Sequence, residues 1–290
     1  MSSENTLKPA INQFKEHLVS LGRANATILA YTKDIEQLVT FLASKDKVSL
    51  STITTEDINN FKQHLKEKDY TAKSISRKIN SIKSFFSFLV SQKTIASNPA
   101  QEVTHPKYEI KPPRILSKIE YRALRDVCRH DSRIFAIIET LLQTGMRISE
   151  LANLRIEDVN FEDNKIIIRS HESHPERTIP LSQPVKNAIQ AYLEDRPKSK
   201  NNQIFITKTG NPFLIRNIRS SLDRYFKIAG IENVKVNDLR HTFIAHQLAS
   251  GSPLVYISKL VGHKRLSTTE KYLEFISSKP SKNKPRLVDL

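Results

Sequence analysis

"VGHKRLSTTEKYL", Val261 to Leu273, sets a His and a Tyr nine residues apart, with the basic pair Lys264–Arg265 and the threonines 268 and 269 between them. The segment reads as helix, turn, helix. Upstream, Ser252 can cap a helix that has Pro253 in its first turn, Leu254, Ile257 and Val261 form its packing face, and Gly262 ends it. Downstream, Ser267 and Glu270 have capping-box spacing for the helix that carries Tyr272. Taken alone, each polar residue has an ordinary use. A His after Gly262 can satisfy helix-terminal carbonyls, and a Tyr in a helix can pack against a core.

The meaning changes when two earlier stretches are set beside it. "TGMRISEL" carries Arg147 and "VNDLRHTF" carries Arg240. Two guanidinium forks, an imidazole and a phenol together suit substitution at a phosphodiester. The forks neutralise the oxygens on which charge builds. His263 can donate a hydrogen bond or help move a proton. The hydroxyl of Tyr272 can attack phosphorus and become a phosphotyrosine. A free phenol is a poor nucleophile at neutral pH, so the surrounding positive charge matters. Such a scheme keeps the bond energy in a covalent link and needs neither metal nor nucleotide cofactor.

Bulk charge agrees with that substrate. The 290 residues include 46 Lys and Arg against 30 Asp and Glu, a formal charge of +16. A folded chain with this excess meets a polyanion, nucleic acid first and an anionic membrane surface second. No stretch approaches a transmembrane span, and "MSSENTLKPA" has no signal-peptide pattern. The single cysteine, Cys128, cannot make an intrachain disulfide and reads as a small buried or half-buried residue of a protein in a reducing cytosol.

Length suits two domains. Residues 1–103 read as all helix. Leu7, Ile11, Phe14 and Leu18 recur at three and four, as do Ile28, Tyr31, Ile35, Leu38 and Leu42. "TTEDINNFKQHLKEK" opens on a capping pattern of Thr and Glu before Ile58. The longest helix has Ile75, Ile79, Ile82, Phe86 and Leu89 as its stripe, with Lys73, Arg77, Lys78 and Lys83 largely off it. Prolines 99, 106, 112 and 113 break any period, so residues 104–116 read as a basic linker. Residues 117–290 open with helices and continue through a small antiparallel sheet around "DVNFEDNKIIIRS" and "ERTIPLS". They close with helices again. The fold expected is mainly α, with that sheet in the second domain.

In "LLQTGMRISELANLRIEDV", "ERTIPL", "LRHTFIAHQLASG" and "KLVGHKRLSTTEKYL", in this order and at these distances, the chain resembles the tyrosine recombinases, the family of phage integrases and Xer-type recombinases. "NATILAYTKDIEQLVTFL" and the helical first part look like the family's core-binding domain, so the resemblance covers nearly the whole chain. It implies a site-specific recombinase acting through a 3′-phosphotyrosine and a Holliday junction. A homotetramer would hold two double-stranded DNA sites, as a monomer or weak dimer when free, with accessory DNA repeats or proteins where direction is imposed. It implies that Arg147 and Arg240 bind the scissile phosphate, His263 assists, Tyr272 attacks and Glu150 supports Arg147. It implies a cytoplasmic, nucleoid-associated protein without a cofactor. Catalytically impaired DNA binding and topoisomerase-like relaxation are the alternative functions.

The sequence departs from the family pattern at two places. A His normally stands where Asn237 is, and Asn is a favourable helix N-cap. The family's Lys, which protonates the departing 5′-oxygen, is missing from the turn "RSHESHPER", Arg169 to Arg177. His171 or Glu172 takes its place by alignment, His171 or His174 is the expected substitute, and Lys165 lies at the start of the preceding strand.

Overall fold

Leu7, Ile11, Phe14 and Leu18 line one side of helix α1 (Leu7–Ser20), and all four are buried. The same rule builds α2 (Asn25–Ala43), α3 (Thr55–Glu67) and α4 (Ala72–Ser91). These elements come from a computed structural model that describes residues 7–47, 49–109, 112–170 and 174–277. The chain forms two compact units, on either side of residues 110 and 111.

In the first unit, four amphipathic helices close over Phe14, Phe61, Phe85 and Phe86. Phe14 meets Phe85 edge-on at 5.3 Å. Thr54 caps α3 through a capping box whose acid is Asp57, because Asp57 and not Glu56 stands three residues past the cap. Of the basic residues on α4, Lys73 and Arg77 face solvent, but Lys78 is buried. Its ammonium lies 2.9 Å from the buried carboxylate of Asp34 on α2 and 2.7 Å from Gln37 Oε1. Arg77 and Ser81 complete the shell of Asp34. Lys78 lies three residues after Ile75 and four before Ile82, at the edge of the buried stripe, and the carboxylate that pairs it there is distant in sequence.

In the second unit, α5 (Lys118–Cys128), α6 (Ser132–Thr144) and α7 (Ile148–Asn153) lead into strands β1 (Val159–Asn160), β2 (Lys165–Ile168) and β3 (Arg177–Pro180). The sheet is antiparallel in the order β1-β2-β3, with Ile166 opposite Ile179 and Ile168 opposite Arg177. Helices α8 (Gln183–Asp195), α9 (Ile215–Ile228), α10 (Val236–Ala249), α11 (Leu254–Val261) and α12 (Ser267–Ser277) follow. The mainly α fold with a small sheet is as expected.

Three helix starts differ from expectation, the first being α12, which opens on Ser267 itself, so that Ser267 is its first residue and not its cap. Pro253, not Ser252, is the N-cap of α11, and Lys235, not Asn237, is the N-cap of α10. At α10 the carboxylate of Asp238 accepts from the Lys235 backbone N–H at 2.7 Å, which leaves the Asn237 amide free for another use. Cys128 is fully buried, and burial pushes its thiol up to about 12, so it is a small apolar residue and not a nucleophile.

Gly145 ends α6 in the left-handed region at φ 61°, and a Cβ there would lie 2.3 Å from the Phe243 ring. Only glycine serves at that position. The tight turn brings α6, α7 and α10 together beneath the end of α11.

Candidate active site

A helix ends with carbonyls that lack intrahelical donors and with the negative end of its dipole. At the end of α11 those carbonyls belong to Leu260, Val261 and Gly262, and three arginines from three elements take them. Arg177, first residue of β3, donates Nε to Leu260 O at 2.9 Å. Arg240, on α10, donates Nη2 to Val261 O at 2.7 Å. Arg147, the N-cap of α7, donates Nη2 to Gly262 O at 2.8 Å. Gly262 itself is left-handed at φ 68°, and a Cβ there would press on the Arg177 guanidinium at 3.1 Å.

One carboxylate serves this cluster. Glu150 accepts both terminal nitrogens of Arg177 at 2.8 and 2.7 Å, the Arg147 side chain at 3.1 Å and the Arg147 backbone N–H at 2.8 Å. Burial alone raises the pKa of that carboxyl. The bonds from Arg177 and Arg147 outweigh burial and hold it at about 2. Among the described residues Arg240 has no carboxylate partner. Its other bond goes to Gly145 O at 2.6 Å, and it is 5% exposed. Burial first, and then the neighbouring Arg147, pull its guanidinium down to about 9, so it remains charged at neutral pH. Three buried or half-buried guanidinium groups around one carboxylate leave an excess of positive charge that suits an anion.

Tyr272 comes to the same place on α12. It is buried, and its ring faces that of His263 at 6.4 Å and 22°. Burial raises the phenol's pKa, Arg240 draws it back down and Asp238 pushes it up. His263 follows α11, with Nδ1 2.7 Å from Thr269 Oγ1. Burial first, then Arg240 and Arg147, bring its imidazole down to about 4, so it is neutral at pH 7. A Thr269 hydroxyl that donates to Nδ1 leaves the proton on Nε2, where a neutral ring can donate a hydrogen bond.

The four residues Arg147, Arg240, His263 and Tyr272 are therefore brought together from stretches up to 125 positions apart, the separation of Arg147 and Tyr272. His171 and Glu172 lie outside the described residues. His174 is half-buried, and its Nδ1 is buried with no hydrogen-bond partner among the described residues. Burial, Arg147 and Lys264 all lower its pKa. Lys165 is paired with Asp163 at 2.6 Å.

Two residues of the cluster were not singled out from the sequence. Arg177 carries a signal in hindsight: it shares the inward face of β3 with Ile179, an unusual place for a cation without a partner. His241 lies 2.5 Å from the Tyr272 hydroxyl, and no local pattern points to it.

The comparisons with known proteins agree with this geometry. Residues 114–277 match the model of the phage integrase family, and residues 11–93 match the phage integrase N-terminal SAM-like domain. Tyrosine recombinase XerD of Rickettsia bellii is 33% identical over 283 residues, covering 90% of this chain and 92% of the relative. Tyrosine recombinase XerC of Staphylococcus saprophyticus is 31% identical, covering 90% and 87%. Among solved structures, a lambda integrase tetramer bound to a Holliday junction matches with a TM-score of 0.73 at 17% identity, covering 90% of this chain and 78% of that one. The chain belongs to the phage integrase family, as an Xer-like tyrosine recombinase.

Proposed function

We propose that the chain is a site-specific DNA recombinase that cuts and rejoins strands through a 3′-phosphotyrosine, with Tyr272 as nucleophile. The observation that carries this reading is the meeting of Arg147, Arg240, His263 and Tyr272 at the C-terminal end of α11. The guanidinium groups that hold these carbonyl oxygens bind the non-bridging oxygens of the scissile phosphate. Glu150 keeps Arg147 and Arg177 in register as they do so. The Nε2–H of a neutral His263 adds a hydrogen bond to the same phosphate.

The bonds balance without water. Phenolic O–H and P–O5′ are replaced by P–Oη and O5′–H, and attack of a 5′-hydroxyl on the phosphotyrosine reverses the exchange. Proton delivery to O5′ falls to the turn that contains His171. His174 is the weaker donor, since its surroundings favour the neutral ring at pH 7. A pair of variants, His171→Ala and His174→Ala, that both cleave at the wild-type rate removes this assignment.

Residues 1–103 serve as the helical DNA-binding domain and 117–290 as the catalytic domain, with 104–116 as a basic linker. Four copies act on two double-stranded sites and exchange strands through a Holliday junction. The exchange serves integration and excision or the resolution of dimers or cointegrates, and likeness to the tyrosine recombinases XerC and XerD supports the strand exchange common to these roles. Among the described residues no helix is long and apolar enough to cross a membrane.

The test is capture on a nicked duplex that carries the protein's own recombination site, with EDTA present. Wild type gives a protease-sensitive protein–DNA adduct and Tyr272→Phe gives none. Tight binding without an adduct from wild type, under conditions that permit synapsis, replaces this reading with that of a catalytically impaired DNA-binding protein.

A further inference from the structure

The hydroxyl of Tyr272 has a partner that the roles above leave unused. His241 Nδ1 lies 2.5 Å from Tyr272 Oη, and Asn237 Nδ2 lies 2.7 Å from His241 Nε2. Both ring nitrogens are therefore engaged. Asn237 and His241 are four residues apart on α10, so they share a face, and α12 lays Tyr272 against it.

With the Asn237 amide nitrogen toward the ring, as placed, the chemistry of the three groups sets the direction of the bonds. A neutral imidazole has one donor nitrogen and one acceptor, and an amide nitrogen only donates. Asn237 Nδ2 donates, so His241 Nε2 accepts. The ring proton then sits on Nδ1, and Nδ1–H donates to the Tyr272 oxygen. We infer that Asn237 and His241 are a positioning pair for the nucleophile: Asn237 fixes the His241 tautomer, and His241 holds Oη by a donated hydrogen bond that favours the phenolate. This rests on Tyr272 being the attacking residue.

The surroundings fit a neutral ring. Burial lowers the pKa of His241 first, Asp238 raises it and Arg240 lowers it. The charged and titratable groups around it are Asp238 and Arg240 on its own helix, Tyr272 on α12 and His263 beyond α11. A donor to a phenolate stabilises the charged form, and Tyr272 needs that help because its burial works the other way. One lone pair of Oη takes the hydrogen bond and another remains for phosphorus. The pair also gives Asn237 a purpose at a place where the resemblance leads one to expect a His. An amide that cannot titrate keeps one tautomer of its neighbour across the physiological range.

The first test needs no DNA. In protein labelled with 15N-histidine at neutral pH, ring NMR of His241 shows a protonated Nδ1 and a bare Nε2, and Asn237→Ala loses that preference. A wild-type ring protonated on Nε2 overturns the inference. The second test compares adduct formation on the nicked duplex across pH for His241→Leu and His241→Asn. Asparagine keeps an N–H donor near the place of Nδ1, and leucine keeps only bulk. We expect the leucine variant to lose roughly 100-fold in rate, the scale of a misplaced reacting group. Its rise with pH moves to higher pH. The asparagine variant stays within about tenfold of wild type and keeps its profile. Equal or faster cleavage by the leucine variant, or equal loss in both, overturns the inference. If wild type itself forms no adduct, the failure belongs to the strand-cleavage reading, and the tautomer measurement still decides the pair.

Discussion

Each unit of this protein buries a cluster of charge, and the two clusters are built to opposite ends. In the helical unit, the buried carboxylate of Asp34 meets the buried ammonium of Lys78, with Ser81, Gln37 and the half-exposed Arg77 filling the remaining bonds. The buried charges cancel. In the second unit, Arg147 and Arg177 share one carboxylate, Glu150, while Arg240 holds only backbone carbonyls. Those charges do not cancel. A satisfied cluster ties helices together, whereas a cluster short of negative charge is a binding site waiting for an anion. Burial alone therefore does not distinguish structure from function, but the balance of charge does.

The comparison breaks most visibly at Asp34. Asp34→Ala leaves Lys78 buried without its counter-charge and destabilises the helical unit by about 3–5 kcal/mol, read from the denaturant midpoint. A Lys78→Met change made together with it recovers part of the loss. An unchanged midpoint in the single variant shows the cluster to be idle. Arg240→Ala acts on the other side of the contrast. Strand cleavage falls by roughly 10²–10³-fold, which corresponds to about 3–4 kcal/mol, while stability falls less than in Asp34→Ala. A variant that cleaves normally places the anion elsewhere.

Acid sharpens the difference by titrating the catalytic cluster. The folded pKa of Glu150, about 2, lies below its ordinary 4.5, so its contribution is complete above 4.5 and is lost as pH falls toward 2. The shift corresponds to about 3 kcal/mol. His263 is depressed from 6.5 to about 4, so the fold favours its neutral form. Stability is lost as pH falls from 6.5 to 4. Glu150→Gln removes the lower limb and His263→Gln the upper one, and a pH–stability curve that keeps both limbs in these variants contradicts the assignment. The smallest effect is that of inorganic sulfate. At ten times its Kd it stabilises the wild-type protein by about 1.4 kcal/mol, and it stabilises Arg240→Ala less. Equal stabilisation of both shows that sulfate binds away from the cluster.

Much of this was readable from local spacing. The stripe of α1, the closing glycines 145 and 262 and the alternation in β2 each follow from neighbours within a few residues. Arg147, Arg240, His263 and Tyr272 emerged because they share one chemistry. What escaped depended on distant partners. Lys78 reads as a surface lysine until Asp34, 44 residues earlier, comes to it. Arg177 finds Glu150 across 27 positions, and His241 finds Tyr272 across 31. Asn237 was misplaced as a cap because Asp238 next to it does that work at the backbone of Lys235. Periodicity identifies which face is buried, but not which polar group waits on it.

The most direct test is to locate the covalent bond. The wild-type adduct on a nicked duplex labelled in the strand segment 5′ of the cut, whose 3′-phosphate stays on the protein, is digested, and the labelled peptide is sequenced. The account predicts a single phosphotyrosyl linkage at Tyr272. Label on any of the other seven tyrosines, or on a residue of another kind, contradicts it.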